Sequence, residues 1–379
     1  MPTVVIDLKT AEDPRDVVHR SVQALAEGNL VVFPTETMYG VAASGLNLSA
    51  VRRLHGLVES HGLDGIQLVV KGADDALDYV PGMSPLARRL SRRCWPGPMT
   101  LNMPVNHPES VVSQLPAEIR EILAPGGEVG LRVPFHDVIL SVMRLTIGPL
   151  ALASYLPANG PAPVCGEEVA SALEGDVDLI LNAGRTKYGQ PATIVAVNEN
   201  HWEIQRPGVV SDQAIQRLSA MLILVVCTGN TCRSPMAELL LKKRIAEELG
   251  CGIDELDGQG IEVASAGIAA MAGGRPSIEA VKVLNERGLD LSGHLSQPLT
   301  ERLARHADLI LTMTNGHRHE IVSQWPDLAN RTLVLSRDQG DISDPIGGPL
   351  NIYEKCANQI DEQLAGWVEE LDLRKSAEK

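Results

Sequence analysis

Residues 222–236 read LILVVCTGNTCRSPM, and this stretch restricts the fold more than any other. Leu222 to Val226 form an unbroken apolar run, the pattern of a strand buried on both faces. Cys227 opens a loop that closes at Arg233. Ser234 and Pro235 then read as a hydroxyl N-cap and a proline in the first helical position. The helix continues through Met236, Leu239, Leu240 and Ile245. A strand, a tight loop and a helix N-terminus make an anion site, because converging backbone N–H groups and the helix dipole both add positive potential. The same field favours a nucleophilic thiolate at Cys227. Arg233 offers a planar fork that matches two phosphoryl oxygens. The expected arrangement is a thiolate beneath a bound phosphate.

From residue 221 onward strands alternate with helices. Strands are expected at 222–226, 261–265, 307–313 and 332–336, and helices at 235–249, 277–287, 316–324 and 351–371. With right-handed crossovers this pattern gives a doubly wound parallel sheet, whose sites gather at the carboxyl ends of its strands. Asp341-Ile342-Ser343-Asp344-Pro345 follows the last strand, so an acid reaches the rim that carries the Cys227 loop. Cys356 shares four-residue spacing with Ile352, Ile360 and Leu364, which places it in the core of an amphipathic helix. Cys251, at a helix end, reads as structural, and His294, His306, His317 and His319 read as surface helix and loop positions.

A chain of 379 residues has room for two ordinary domains, expected at 1–212 and 221–375. Net charge is −15; divided at residue 220, the halves hold 17 basic and 24 acidic residues (−7) and 16 and 24 (−8). Neither has the balance of a general nucleic-acid binder, so RNA contact would need a local patch. Arg88, Arg89, Arg92 and Arg93 form two i,i+4 pairs on a helix and read equally as a solvated face or as a phosphate- or RNA-facing patch. The six cysteines include no C-x-x-C pair and no zinc-like spacing. No basic leader opens the chain, and the longest apolar run, around 220–227, is too short to span a membrane. A reducing cytoplasm and no membrane partner are expected.

The first half offers a helix over Pro14 to Glu27 and a strand, polar turn and second strand in NLVVFPTETMYGVAA. Trp95-Pro96-Gly97-Pro98-Met99-Thr100, Gly130-Leu131-Arg132-Val133-Pro134, the Ser154 segment, Pro191-Ala192-Thr193-Ile194-Val195 and Arg206-Pro207-Gly208 follow in order. Over roughly residues 10–210 this order resembles the YrdC-like family, the threonylcarbamoyl-adenylate synthases. The resemblance implies a twisted α/β sheet domain that joins threonine, bicarbonate and ATP for a tRNA modification. It also implies ATP with Mg2+ as cofactor, nucleotide or tRNA as partner, and a ligand site at Thr35, Thr37, Arg132, Ser154, Thr193 and Arg206. The family's K-x-R-x-x-x-K pattern falls in LHGLVESHGLDGIQLVV, with Val58, Ser60 and Asp64 in the basic places. A triphosphate facing Glu59 and Asp64 is repelled. The family's S-A-N-x-S-G becomes Ser154-Tyr155-Leu156-Pro157-Ala158-Asn159-Gly160, and its S-T-V becomes Ala192-Thr193-Ile194. A retained fold with lost or altered synthase chemistry is expected; the alternative is a bifunctional protein with an active synthase half.

Residues 221–372 closely resemble the low-molecular-weight protein tyrosine phosphatases. The match runs through V-C-x-G-N-x-C-R-S-P at 226–235, Ser265-Ala266-Gly267, Ala307-Asp308-Leu309-Ile310-Leu311-Thr312-Met313 and Asp344-Pro345. It implies a protein phosphatase without cofactor, acting on a phosphorylated protein through a phosphocysteine at Cys227. Arg233 and the loop Thr228, Gly229, Asn230, Thr231, Cys232 and Ser234 would cradle the phosphoryl group, and Asp344 would serve as acid and then base. Asn230 and Ser265 would hold the loop, Ser234 would bond the thiolate, and Cys232 would be a reversible disulfide partner for Cys227. CTGNTCRSPMAE is similar to the bacterial protein-arginine phosphatases, in which threonine at the place of Thr231 accompanies phosphoarginine hydrolysis. Ile346-Gly347-Gly348 after the Asp-Pro pair lacks the aromatic wall of phosphotyrosine-preferring members. Phosphoarginine is therefore favoured over phosphotyrosine. An arsenate reductase of this fold needs a further thiol pair, and none lies between Cys251 and Cys356. The intact Cys227, Arg233 and Asp344 set opposes a pseudoenzyme that only binds nucleotide, RNA or phosphate.

Overall fold

The computed structural model describes residues 2–156, 163–338 and 340–371. Residues 157–160, which carry part of the S-A-N-x-S-G departure, lie outside them. The chain divides into two compact units, Met1–Leu218 and Ser219–Lys379.

Among the described residues of the first unit, ten strands form one mixed sheet. They are β1 Val4–Asp7, β2 Val31–Phe33, β3 Gly40–Ser44, β4 Gln67–Val69, β5 Met99–Pro104, β6 Glu128–Arg132, β7 Leu150–Ser154, β8 Leu179–Asn182, β9 Thr193–Asn198 and β10 His201–Arg206. Their order is β1-β8-β2-β3-β7-β4-β6-β5-β9-β10. Alternate side chains enter separate cores, with Val32, Val41 and Leu68 in one and Val31, Phe33, Ala42 and Val69 in the other. The period-2 pattern thus makes both faces of the central strands apolar. The arginine helix spans Pro85–Cys94, capped by Ser84. Arg88 donates to the Met83 carbonyl and Arg93 to the Leu218 carbonyl, so both guanidiniums are engaged by the backbone.

Among its described residues the second unit holds four parallel strands, β11 Met221–Cys227, β12 Ile261–Gly267, β13 Leu309–Thr312 and β14 Thr332–Val334, in the order β12-β11-β13-β14. Leu222, Leu224 and Val226 pack with Ala304, Ile321 and Trp325 on one face. Ile223, Val225 and Cys227 pack with Leu240, Ile245, Ile360 and Leu364 on the other. The apolar run is therefore buried on both sides, each large side chain contributing about 1.5–3 kcal/mol of transfer free energy. Helix Arg233–Leu249 begins two residues ahead of its expected start at 235. A short helix, Glu301–His306, capped by Thr300, takes a stretch for which the sequence pattern gave no element. It is too brief to show a helical period, and the following strand starts at Leu309 instead of 307. Cys356 is buried in helix Leu350–Glu370 and Cys251 is half-buried. No helix of the described residues is long and apolar enough to cross a membrane.

Candidate active site

Cys227 ends β11, the sheet's second strand, and is 3% exposed. The Asn230 amide donates to its Sγ at 3.2 Å, and the Ser234 hydroxyl lies 3.0 Å away. Asn230 adopts φ +55°, a left-handed conformation that asparagine tolerates better than most residues. Its buried side chain then ties the loop together. Nδ2 donates to Ser234 Oγ (3.0 Å) and Ser265 Oγ (2.9 Å), while Oδ1 accepts from the Gln297 amide (2.8 Å). Ser265 donates in turn to Glu238 Oε2 at 2.7 Å.

Loop carbonyls are taken up by the surrounding fold. Those of Cys227 and Thr228 accept from Ile268 and Ala269 at 3.0 Å, and that of Thr231 accepts from Ser277 at 2.9 Å. The Asn230 carbonyl accepts from His294 Nε2 at 3.0 Å. Groups that would repel an anion are thereby occupied elsewhere. Gly267 makes this packing possible, since a Cβ there would sit 2.5 Å from the Thr228 oxygen and 2.9 Å from the Asn230 nitrogen.

Ser234 is not the helix N-cap that its position before proline implied. Cys232 takes the N-cap place without a side-chain bond, and Ser234 lies inside the first turn. The sulfur and Asn230 Nδ2 draw its hydroxyl into the loop. Thr228 is exposed, Gly229 is half-buried, and Thr231 is half-buried with Oγ1 3.6 Å from Cys232 Sγ. Cys232 Sγ also lies 3.6 Å from the Tyr353 hydroxyl, and all six cysteines are free thiols.

Arg233 is 5% exposed. Nη1 donates to the Ile342 carbonyl at 3.3 Å, while Nη2 donates to Thr228 Oγ1 at 3.4 Å and to Asp344 Oδ2 at 2.5 Å. Asp344 is the exposed partner, so a carboxylate stands at the mouth of the loop. Asp341 turns away and accepts the Asn315 amide at 2.8 Å. Burial pushes the Cys356 thiol up to about 12, and it donates to the Ser343 carbonyl beneath the Asp344 segment.

Two of the four histidines expected at the surface touch the loop. One is His294, as above. The other, His317, is 6% exposed and places Nε2 2.8 Å from Thr228 Oγ1. Burial and then the Arg233 charge hold its imidazole below the ordinary 6.5, against the opposing pull of Asp344 and Asp341. Sequence spacing gave no sign of either contact, because each depends on which helix or loop the sheet order brings beside β11.

In the first unit, Thr35, Thr37 and Arg132 come together around Glu36. Arg132 is wholly buried and donates to Glu36 Oε1 (2.8 Å), Thr37 Oγ1 (2.9 Å) and the Gly97 carbonyl (3.3 Å). Thr35 Oγ1 closes its own turn on Met38. Thr193 is bonded in both directions to the Val210 backbone. The Ser154 carbonyl accepts from the Asp64 amide at 3.0 Å, and the Asp64 carboxylate forms an ion pair with Arg206. Arg206 also donates to the Ala192 carbonyl at 2.8 Å. Ser154, Thr193 and Arg206 are thus joined through Asp64 and the Ala192–Thr193 backbone, and Glu36 is an acidic partner outside the expected site. Among the described residues, no group of three or more His, Cys, Asp or Glu side chains is arranged to hold a metal ion.

Comparison with known proteins gives two family matches. Residues 222–377 match the model described as low molecular weight phosphotyrosine protein phosphatase. Residues 23–208 match the Sua5/YciO/YrdC model, described as telomere recombination. The protein-arginine-phosphatase of Bacillus subtilis is 39% identical over 155 residues, spanning 40% of this chain and 97% of that protein. The probable low molecular weight protein-tyrosine-phosphatase EpsP of Ralstonia nicotianae is 37% identical over 147 residues, 38% of this chain and 92% of that protein. The putative threonylcarbamoyl-AMP synthase of Mycobacterium tuberculosis is 32% identical over 214 residues, 56% of this chain and 94% of that protein.

Proposed function

Because the chain belongs to the low molecular weight phosphotyrosine protein phosphatase family in its second half and to the Sua5/YciO/YrdC family in its first, we propose that it is a protein phosphatase acting through a phosphocysteine and preferring phosphoarginine. The carrying observation is the loop itself, with Cys227 Sγ at 3.2 Å from a loop amide and Arg233 fixed beside Asp344. Cys227 attacks phosphorus, so that an S–P bond forms as the bond to the leaving nitrogen or oxygen breaks. Asp344 gives that leaving atom a proton. Water then attacks phosphorus, Asp344 takes up a proton from it, and the S–P bond breaks to release phosphate and the thiolate. Arg233 and the loop amides meet the charge that spreads over the equatorial oxygens. This chemistry needs no cofactor.

Thr231 and the rim after Asp344 support the choice of substrate. Thr231 offers a small hydroxyl side chain where a guanidinium would enter, and Ile346, 70% exposed, supplies no aromatic wall. The chain's likeness to the Bacillus protein-arginine-phosphatase agrees with this reading. Turnover of phosphoarginine and phosphotyrosine proteins by the full chain and by Thr231→Ile tests it. Wild type should favour phosphoarginine and the variant should lose that preference; an unchanged preference would sink the assignment. Loss of all turnover in Cys227→Ser is expected as well.

For the first half we infer a retained fold with lost or altered synthase chemistry. The Asp64–Arg206 ion pair supports this, because Arg206 already has an internal counter-charge and a triphosphate would meet Asp64 beside it. Pyrophosphate release from ATP that depends on threonine and bicarbonate, assayed with the full chain, is expected to be absent. Its detection would restore the bifunctional reading, with ATP, Mg2+ and tRNA as ligands of this half.

A further inference from the structure

The Cys227 loop holds its arginine through more than the loop. Arg233 Nη2 carries two protons, one directed to Asp344 Oδ2 and the other to Thr228 Oγ1. The Thr228 oxygen therefore already accepts from a cation, and its own proton needs an acceptor. That acceptor stands 2.8 Å away at His317 Nε2. The other ring nitrogen, Nδ1, lies 2.9 Å from Thr314 Oγ1, the hydroxyl that caps helix Asn315–Gln324 and receives the His317 amide at 3.1 Å. A neutral imidazole with its proton on Nδ1 accepts from Thr228 and donates to Thr314, giving a chain of donors from Arg233 through Thr228 and His317 to Thr314. Burial and the neighbouring Arg233 charge favour that neutral state.

Resting on the phosphatase reading above, we propose that His317 is a positioning residue for the phosphate cradle, orienting the Arg233 guanidinium through the Thr228 hydroxyl. Three bonds define the guanidinium plane: to the Ile342 carbonyl, to Asp344 and to Thr228. Asp344 must be free to trade protons with the leaving group and with water, so it is a poor permanent anchor. Thr228 is a neutral anchor that stays in place, provided its hydroxyl is held from behind. His317 reaches the loop from the helix that follows β13, so this part of the active site is set by a neighbouring strand's connection. His317 itself touches no reacting atom.

The experiment uses the full chain, a simple aryl phosphate and six proteins: wild type, Cys227→Ser, His317→Asn, His317→Gln, Thr228→Val and the double variant Thr228→Val/His317→Asn. Asparagine reproduces the Nδ1 side of the ring and keeps the Thr314 bond, while glutamine can reach the Nε2 position beside Thr228. His317→Asn is expected to lower kcat about ten- to a hundredfold, as misplacement of a catalytic group does. Thr228→Val should match it, and the double variant should be no worse than either single one, the mark of two residues acting as a unit. His317→Gln should recover most of the loss. Equal damage from Asn and Gln, or multiplied losses in the double variant, would overturn the proposal. An unimpaired His317→Asn beside an active wild type removes this inference alone. A wild type that leaves the ester intact, as Cys227→Ser should, removes the phosphatase reading and this inference with it.

Discussion

Arg233 Nη2 and Asp344 Oδ2 lie 2.5 Å apart, so the loop's one guanidinium is bound to the carboxylate proposed to move the protons. An arriving phosphate must share that guanidinium with a negative charge. Asp344→Asn should therefore have two opposite effects. Its kcat should fall about 10²- to 10⁴-fold on substrates with poor leaving groups, the range for a lost general acid. Its affinity for inorganic phosphate, read as a competitive inhibition constant, should rise, and more so at low salt. Equal or weaker phosphate binding by the variant would contradict this account of the pair.

Gly267 is the second test of the cradle. A methyl group placed 2.5 Å from the Thr228 carbonyl oxygen and 2.8 Å from Ala270 Cβ has no flexible side chain to push aside. Gly267→Ala should lower stability by about 1–3 kcal/mol, the usual cost of overpacking. Denaturant titration measures that loss, and phosphate affinity should drop with it because the strained contacts are those of the loop itself.

These features differ in how plainly the chain announces them. LILVV followed by Cys227 and Arg233 is legible because burial on both faces and the spacing of a closed loop are local properties. Ser234 is not the cap it resembles for a related reason: local rules assign Ser-Pro to a helix start, while the sulfur and Asn230 compete for the same hydroxyl. His317 reads from the sequence as a surface position because its partner, Thr228, lies on another strand's loop, and only the order β12-β11-β13-β14 brings them together. Asp64 was legible as a missing cation. Its partner Arg206 was not, since that pairing spans the sheet's β10 and the segment before β4.

The first unit permits a stability prediction at Glu36 and Arg132, whose side chains are 3% and 0% exposed. Removing one member leaves the other's charge buried, at a cost of about 3–5 kcal/mol. Glu36→Ala and Arg132→Ala should each unfold this unit at markedly lower denaturant concentration. Glu36→Leu/Arg132→Met together should cost much less than the sum. Losses that simply add would mean the two groups are not energetically coupled.

Acid sensitivity follows from one buried histidine, His317, and one half-buried one, His136. Burial holds both His317 and His136 below the ordinary 6.5, with Arg233 adding to the effect at His317. The unfolded chain thus takes up these protons first as pH falls. Their stabilising contribution is complete above about pH 6.5 and is lost as pH drops from there toward the folded-state values. Thermal unfolding measured across this window should show each unit weakening. His317→Gln should flatten the dependence for the second unit alone, and a slope that survives the change would assign it to other groups.

The bonds from Ile268, Ala269, Ser277, His294 and Gln297 to the Cys227 loop divide the catalytic cycle in time. The entropy of ordering the cradle is lost once, when the sheet assembles, and not again at each turnover. Substrate should accordingly meet a finished receptor, and association should be governed by encounter and charge instead of by loop closure. Asp344, exposed and held at one end by Arg233, is the part whose position is renegotiated in every cycle. Speed in such an enzyme would be tuned at the acid, and fidelity to the phosphoryl group at the cradle.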